Sequence, residues 1–129
     1  MDKKQILIAD DELDVLSVLE KGLVAEGYSV ITTSFGEDVI GLAKSKRPDI
    51  IILDLEMPDM YGGDIARELH EDIETKTIPV IFLTGMFPKE DERKGGRMIA
   101  SHVLFEKPYD ISELVNAIEE HIGEKVLSG

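Results

Sequence analysis

The chain has 129 residues, which suits a single domain, and its 27 acidic against 14 basic side chains give a net charge of −13 at neutral pH. It contains no cysteine, which excludes disulfides and thiolate chemistry, and its charge disfavours direct binding to nucleic acid or anionic membranes while favouring a cation. The apolar run near the N-terminus is too short for a signal peptide and no stretch approaches a membrane span, so we expect a soluble, cytoplasmic protein.

Short apolar runs alternate with longer amphipathic segments along the chain. Apolar residues spaced by three or four positions indicate helices, whereas short apolar or β-branched runs indicate strands. Gly27 ends the first helix and Pro48 ends the second. In chain order the pattern predicts a strand over 6–9, a helix over 13–25, a strand over 28–33, a helix over 34–46, a strand over 50–53, a helix carrying Ile65, Leu69 and Ile73, a strand over 78–83, a helix over 89–100, a strand over 103–105 and a helix over 110–122.

The alternation of five strands with five helices predicts an α/β domain. The run from Ile50 to Leu53 is continuously apolar, as in strands of a parallel sheet that are covered on both faces. We therefore predict a doubly wound, five-stranded parallel sheet with helices on both faces, formed by one domain over 1–129 with its core at about 4–122. The helix over 89–100 is the weakest element, since Gly95 and Gly96 interrupt its pattern.

Polar residues follow four of the five predicted strands. Asp10 and Asp11 follow the first strand, Asp54 the third, Thr84 the fourth and Lys107 the fifth. In a doubly wound sheet, ligands bind at the carboxyl ends of the strands, near the point where the strand order reverses. We therefore expect three carboxylates, a hydroxyl and an ammonium group to meet at one edge of the sheet.

These groups suit phosphoryl transfer assisted by a hard cation. Carboxylate oxygens without a nearby histidine or cysteine favour Mg²⁺. A carboxylate at such a site can attack phosphorus and form an aspartyl phosphate, while the cation and Lys107 offset negative charge and Thr84 donates a hydrogen bond. Taken singly, Asp11 is equally well a helix cap, Thr84 an ordinary strand-end hydroxyl and Lys107 a solvated side chain. The compatible chemistry of four strand ends favours a common site.

The same positions carry a set of motifs that together are highly specific. The acidic pair is Asp10-Asp11, and the segment Asp54-Leu-Glu-Met-Pro-Asp-Met-Tyr-Gly matches the pattern Asp-x-x-Met-Pro-x-x-x-Gly. The fourth strand ends in Thr84-Gly85 and the fifth in Lys107-Pro108. From about Lys4 to Ile122, the chain resembles the receiver domain of bacterial two-component response regulators.

The resemblance implies a flavodoxin-like fold with strand order 2-1-3-4-5. It implies that Asp54 accepts a phosphoryl group from a histidine kinase or a histidine phosphotransfer protein, with Lys107 and Thr84 contacting that group. The chain would then be a phosphoacceptor switch, limited to its own phosphorylation and dephosphorylation, rather than an enzyme. Its output would be contact with a downstream protein through the face formed by the fourth helix, fifth strand and fifth helix, with no direct binding to nucleic acid or membrane.

The resemblance also implies a Mg²⁺ site. Asp11, Asp54 and the backbone carbonyl of Glu56 would be ligands, and Asp10 would act mainly through a metal-bound water. The Glu56 side chain has three possible roles: it reaches the metal, it pairs with Lys107, or it is simply solvated.

The chain departs from the family pattern in its fifth strand. Leu104 occupies the position that usually carries tyrosine or phenylalanine, and Phe105 is one place later. Because successive side chains of a strand alternate between the two faces, Phe105 should face the other side of the sheet and cannot replace that aromatic side chain. We therefore expect movement of the backbone or of another side chain to carry the output, and we expect Leu104 not to change its exposure on phosphorylation. The fourth helix carries basic side chains that either form a solvated face or dock an acidic partner: Lys89, Arg93, Lys94 and Arg97.

Two other functions compete with the phosphorylation switch. A phosphohydrolase of the haloacid dehalogenase type also uses aspartate, Mg²⁺, threonine and lysine, and Asp54-Leu-Glu56 loosely resembles its Asp-x-Asp motif. That motif normally follows the first strand, and the chain has no cap insertion to enclose a substrate. A phosphorylation-independent binding module would be expected to lack one of the site residues, and none is missing. The sequence fits either a stand-alone receiver domain or one excised from a longer protein.

Overall fold

The computed structural model describes residues 3–84, 98–99, 102–106 and 110–122. None of the helices within these ranges is long and apolar enough to cross a membrane. The elements are β1 (Gln5–Ala9), α1 (Leu13–Ala25), β2 (Ser29–Thr33), a 3₁₀ turn (Gly36–Asp38), α2 (Val39–Lys46), β3 (Ile50–Asp54), α3 (Gly62–Glu71), β4 (Val80–Thr84), β5 (Met98–Ile99), β6 (His102–Glu106) and α4 (Ile111–Ile122).

The strands form one sheet in the order β2-β1-β3-β4-β6-β5. The pairs from β2 to β6 are parallel, and β5 runs antiparallel to β6 at one edge. The predicted α/β fold with a parallel, doubly wound sheet is therefore confirmed, and the five parallel strands follow the predicted order. The strand order reverses between β1 and β3, which places a crevice at the carboxyl ends of these two strands.

The predicted count of five strands and five helices is not confirmed. The part of the chain that the structure describes forms six strands and four α-helices. The helix predicted over 89–100 falls outside the described residues except at Met98–Ile99, which form β5 instead. Met98 pairs with Val103 and Ile99 with His102, so the backbone of this segment pairs with the later strand β6. Helical spacing within the segment cannot reveal such a pairing.

The two faces of the sheet carry separate apolar clusters. Along β3, Ile51 and Leu53 pack with residues of α2 and α3, whereas Ile50 and Ile52 pack with residues of α1 and α4. All four side chains are fully buried. This arrangement explains the continuous apolar run, because alternate residues of a central strand must fill a core on each side.

The helix α3 ends before Ile73, contrary to the prediction that placed this residue on its apolar face. Ile73 is 79% exposed. Asp72 has an extended backbone (φ −98°, ψ 128°), and its carboxylate accepts a hydrogen bond from the Glu74 N–H at 2.8 Å. The same carboxylate forms an ion pair with Lys44 at 2.8 Å. Local hydrogen bonding by an aspartate side chain competes with helix continuation, and here it turns the chain before Ile73.

Arg47 adopts a left-handed backbone conformation at the end of α2, with φ 49° and ψ 60°. A side chain is strained there, whereas glycine is not. Arg47→Gly should therefore raise the free energy of unfolding by about 0.5–1 kcal/mol, measured by urea denaturation. Lys46→Gly, one residue earlier inside the helix, should lower it by about 1 kcal/mol. A loss of stability in both variants would contradict the role assigned to the backbone at Arg47.

Candidate functional site

Three carboxylates meet at the carboxyl ends of β1 and β3. Ala9 pairs with Leu53, so Asp10, directly after β1, lies beside Asp54 at the end of β3. Asp10 is fully buried, Asp54 is 4% exposed, and Asp11 is exposed at the turn into α1. One oxygen from each carboxylate lies within 4.8 Å of the others. The sheet thus joins acids that are more than 40 positions apart in the sequence.

Backbone N–H groups orient the two buried carboxylates. The Glu12 N–H donates to Asp10 Oδ1 at 2.9 Å, and the Glu56 N–H donates to Asp54 Oδ1 at 3.2 Å. Each bond closes a short turn in which an aspartate side chain accepts from the backbone two residues later. The Asp10 N–H donates in turn to the Thr33 carbonyl at 3.2 Å, which attaches the end of β1 to the end of β2.

The acid cluster has the chemistry of a site for a hard divalent cation. Carboxylate oxygens are the ligands that Mg²⁺ prefers, and octahedral bonds of about 2.0–2.1 Å place adjacent ligand atoms about 3 Å apart and opposite ones about 4 Å apart. One oxygen from each of Asp10, Asp11 and Asp54 lies within 4.8 Å of the others, so the three carboxylates are near enough to share one ion. Three carboxylates this near repel one another, and a bound cation offsets that repulsion. The donor set therefore fits Mg²⁺.

The loop after Asp54 is folded back against the end of β3. The Gly62 N–H donates to the Leu55 carbonyl at 2.7 Å, and Glu56 and Tyr61 form an antiparallel bridge. A β-carbon at Gly62 would lie 2.6 Å from the Asp54 carbonyl oxygen and 2.9 Å from the Leu55 Cα. Only glycine permits so close an approach, so the last residue of the matched motif fixes the backbone that carries Asp54.

The other predicted site residues are only partly described. Thr84 ends β4, the strand next to β3, and its neighbour Leu83 pairs with Asp54, so its backbone is at the same edge of the sheet. The Glu56 side chain is exposed. Lys107 lies outside the described residues. The side chains of Thr84, Leu104 and Phe105 also lie outside the described part of the structure. The same holds for five whole residues: Gly85, Lys89, Arg93, Lys94 and Arg97.

Sequence reasoning does not single out Asp59, which the structure places in an unusual role. Its Oδ1 accepts a hydrogen bond from the Gly36 N–H at 3.1 Å and its Oδ2 one from the Glu37 N–H at 3.0 Å. These bonds hold the pKa of the Asp59 carboxyl below its ordinary value. The donors are backbone groups more than 20 positions away, so no residue type marks them in the sequence.

A cleft of about 360 Å³ opens beside the acids. Leu13 and Phe35 line the cleft and are 69% and 58% exposed. Of the three acids, Asp11 lines the cleft. Its lining residues are Asp11, Leu13, Ser34, Phe35, Pro58 and Asp59.

A family model described as the response regulator receiver domain matches residues 6–119. The chain belongs to this family. Receiver domains are components of two-component signal transduction. This chain is also similar to the polar-differentiation response regulator DivK of Brucella anthropi. The two are 30% identical over 127 residues, which cover 96% of this chain and 99% of that relative.

Solved structures give the same fold. The receiver domain of a sensor histidine kinase from Pseudomonas aeruginosa superposes with a TM-score of 0.81 at 25% identity, covering 95% of this chain and 99% of that one. That protein is described with a magnesium ion coordinated in its active-site cleft. The chemotaxis protein CheY4 of Vibrio cholerae superposes with a TM-score of 0.80 at 23% identity, covering 93% and 99% of the two chains. The predicted flavodoxin-like fold is therefore confirmed.

The position of Asp54 also bears on the competing phosphohydrolase. The aspartate motif of haloacid dehalogenases normally follows the first strand, whereas Asp54 ends β3.

Proposed function

We propose that this receiver domain accepts a phosphoryl group on Asp54 in a Mg²⁺-dependent reaction and thereby switches a protein-interaction surface. The observation that supports this most directly is the meeting of Asp54 with Asp10 and Asp11 at the crevice of a doubly wound sheet. Asp54 is nearly buried and oriented by the Glu56 N–H, which suits a nucleophile that must meet phosphorus in a defined direction.

The transfer forms one bond and breaks one. A carboxylate oxygen of Asp54 attacks the phosphorus of a phosphohistidine, and the N–P bond breaks with its electron pair remaining on the imidazole nitrogen. Asp11, Asp54 and the Glu56 carbonyl would hold Mg²⁺, with Asp10 bonded to a metal-bound water. When bound, Mg²⁺ supplies positive charge to the phosphoryl oxygens.

The proposed roles of Lys107 and Thr84 complete the site. We propose that Lys107 pairs with the phosphoryl group and that Thr84 donates a hydrogen bond to one of its oxygens. Phosphorylation gives Asp54 nearly two negative charges and strong acceptors, so these bonds exist only in the modified state. Interactions confined to one state shift the population of a two-state protein.

The proposed partners follow from this chemistry. A histidine kinase or histidine phosphotransfer protein would donate the phosphoryl group, approaching by the open cleft beside Asp11. A downstream protein would bind the face formed by the helix predicted over 89–100, the strand β6 and the helix α4, which is the fifth helix of the sequence prediction. We propose that the domain acts in the cytoplasm and is a switch rather than an enzyme with a separate substrate.

Incubation with acetyl phosphate and Mg²⁺ should add one phosphoryl group to the wild-type chain, detected by intact mass. Asp54→Ala should show no gain, because the acceptor oxygen is absent. Omitting Mg²⁺ should also prevent the gain, because nothing then offsets the charge of the incoming phosphate. Asp64→Ala provides a control that removes an exposed aspartate from the first turn of α3 and should be phosphorylated normally. If the folded wild-type chain gains no mass from acetyl phosphate or from a phosphohistidine donor, the phosphorylation-independent binding module becomes the better explanation.

A further inference from the structure

Asp59 connects the loop that carries Asp54 with the loop that follows β2. Its two carboxylate oxygens accept hydrogen bonds from the backbone N–H groups of Gly36 and Glu37, at 3.1 and 3.0 Å. These bonds lower the pKa of the Asp59 carboxyl, because they stabilise its charged form. Hydrogen bonds to an ionised acceptor are stronger than those between neutral groups. Asp59 therefore ties together two loops that are distant in sequence.

The two loops are also packed closely where Asp59 joins them. Gly36 is buried, and a β-carbon there would lie 3.0 Å from Ile65 Cδ1, 3.1 Å from Met60 Cβ and 3.3 Å from Asp59 Oδ1. The missing side chain at position 36 allows the β2–α2 loop to reach the loop after β3. Packing and hydrogen bonding thus fix the same contact.

Hydrogen bonds continue from this contact to Asp10. The Phe35 N–H donates to Thr33 Oγ1 at 3.2 Å, and the Thr33 hydroxyl lies 3.1 Å from Asp38 Oδ2. The Thr33 carbonyl accepts from the Asp10 N–H at 3.2 Å. The segment that holds Asp59 is therefore attached at its other end to the turn that carries the first acidic pair.

We propose that Asp59 is a positioning residue for the metal site, holding the loop of Asp54 and Glu56 at a fixed spacing from Asp10 and Asp11. This inference rests on the proposed function, and extends it to how the affinity for Mg²⁺ is set. Among the described residues, the carboxylate cluster contains Asp10, Asp11 and Asp54 but not Asp59, so Asp59 acts through the loop rather than as a ligand. Residues that orient metal ligands commonly affect metal affinity although they never touch the ion.

Titration of Mg²⁺ into the full chain, followed by calorimetry, tests the proposal directly. Asp59→Ala removes both acceptors, Asp59→Asn keeps one acceptor oxygen, and Asp64→Ala removes the same charge from an exposed position beside Arg67. The Kd for Mg²⁺ should rise about tenfold in Asp59→Ala, the low end of the effect of residues that orient metal ligands, because Asp59 acts through the loop. It should rise less in Asp59→Asn and least in Asp64→Ala.

The Mg²⁺ dependence of labelling by acetyl phosphate separates positioning from general destabilisation. If Asp59 positions the site, Asp59→Ala needs more Mg²⁺ for half-maximal rate but recovers most of the maximal rate at saturation. A general loss of folding would lower the maximal rate, and the folded fraction measured by circular dichroism, without changing the half-saturating concentration.

Two results would overturn the inference: equal Mg²⁺ affinity in Asp59→Ala and Asp64→Ala, or no binding of Mg²⁺ to the wild-type chain. Failure of the proposed function has a different signature. Wild-type protein that binds Mg²⁺ but cannot be phosphorylated would refute phosphoryl transfer to Asp54. The calorimetric comparison of the Asp59 variants would still decide whether Asp59 positions the metal site.

Discussion

Replacing Gly62 with alanine should lower the free energy of unfolding by about 3 kcal/mol and slow phosphorylation of Asp54. The added methyl group would lie 2.6 Å from the Asp54 carbonyl oxygen, 2.9 Å from Leu55 Cα and 3.1 Å from the Leu55 carbonyl oxygen. All three contacts are with backbone atoms, which cannot turn aside as a flexible side chain can. Relief requires α3 to move away from β3, which would also break the 2.7 Å bond between the Gly62 N–H and the Leu55 carbonyl.

Gly41 provides a matched control for this substitution. It lies within α2, is exposed, and a β-carbon there would meet nothing within 4 Å. Gly41→Ala should therefore raise the free energy of unfolding by about 0.5–1 kcal/mol, because alanine favours the helix. Urea denaturation of both variants, with labelling by acetyl phosphate at saturating Mg²⁺, gives the comparison. Equal stability of Gly62→Ala and Gly41→Ala would show that the close approach at Gly62 is not a constraint.

The parallel sheet and the meeting of the acids at its edge were accessible from sequence because both depend on short-range patterns, whereas the strand order came only from the resemblance to receiver domains. Apolar runs identify the strands, and alternation with helices requires a parallel sheet whose carboxyl ends share an edge. Asp10 and Asp54 follow such runs directly. Their proximity then follows from the pairing of β1 with β3, without any knowledge of side-chain packing.

Features that depend on distant backbone groups were not accessible. The bonds from Gly36 and Glu37 to Asp59 involve N–H groups that every residue except proline possesses, so residue type carries no signal. Pairing of Met98–Ile99 with β6 likewise depends on backbone groups. The exposure of Ile73 was missed for a different reason: its spacing from Leu69 matches a helix, but the Asp72 side chain ends that helix first.

Tyr28→Phe should raise the free energy of unfolding by about 1 kcal/mol at pH 7. Tyr28 lies between α1 and β2 and is 1% exposed, within the cluster that contains Leu23 and Ile118. Its hydroxyl oxygen is buried and has no hydrogen-bond partner among the described residues. In the unfolded chain that hydroxyl is hydrated, so folding carries a desolvation cost that phenylalanine avoids. Urea denaturation at pH 7 measures the difference, and a loss of stability in Tyr28→Phe would indicate that the hydroxyl is satisfied.

Ionisation of the same hydroxyl should lower the free energy of unfolding between about pH 10 and pH 12. Burial, with smaller contributions from the nearby carboxylates of Glu119 and Glu26, raises the pKa of Tyr28 from 10.0 to about 12. Above pH 10 the unfolded chain releases this proton while the folded chain retains it, so increasing pH favours unfolding. A difference of this size corresponds to about 2–3 kcal/mol once both forms are ionised.

Comparison of Tyr28→Phe with Tyr61→Phe isolates this contribution from the ionisation of other groups. Tyr61 is 49% exposed, against 1% for Tyr28, so Tyr61→Phe should retain the wild-type fall in stability. Between pH 9 and pH 11, the free energy of unfolding measured by urea denaturation should fall less in Tyr28→Phe than in the wild-type chain or in Tyr61→Phe. Lysine ionisation affects all three chains alike and cancels in the comparison. An equally steep fall in Tyr28→Phe would assign the alkaline instability to groups other than Tyr28.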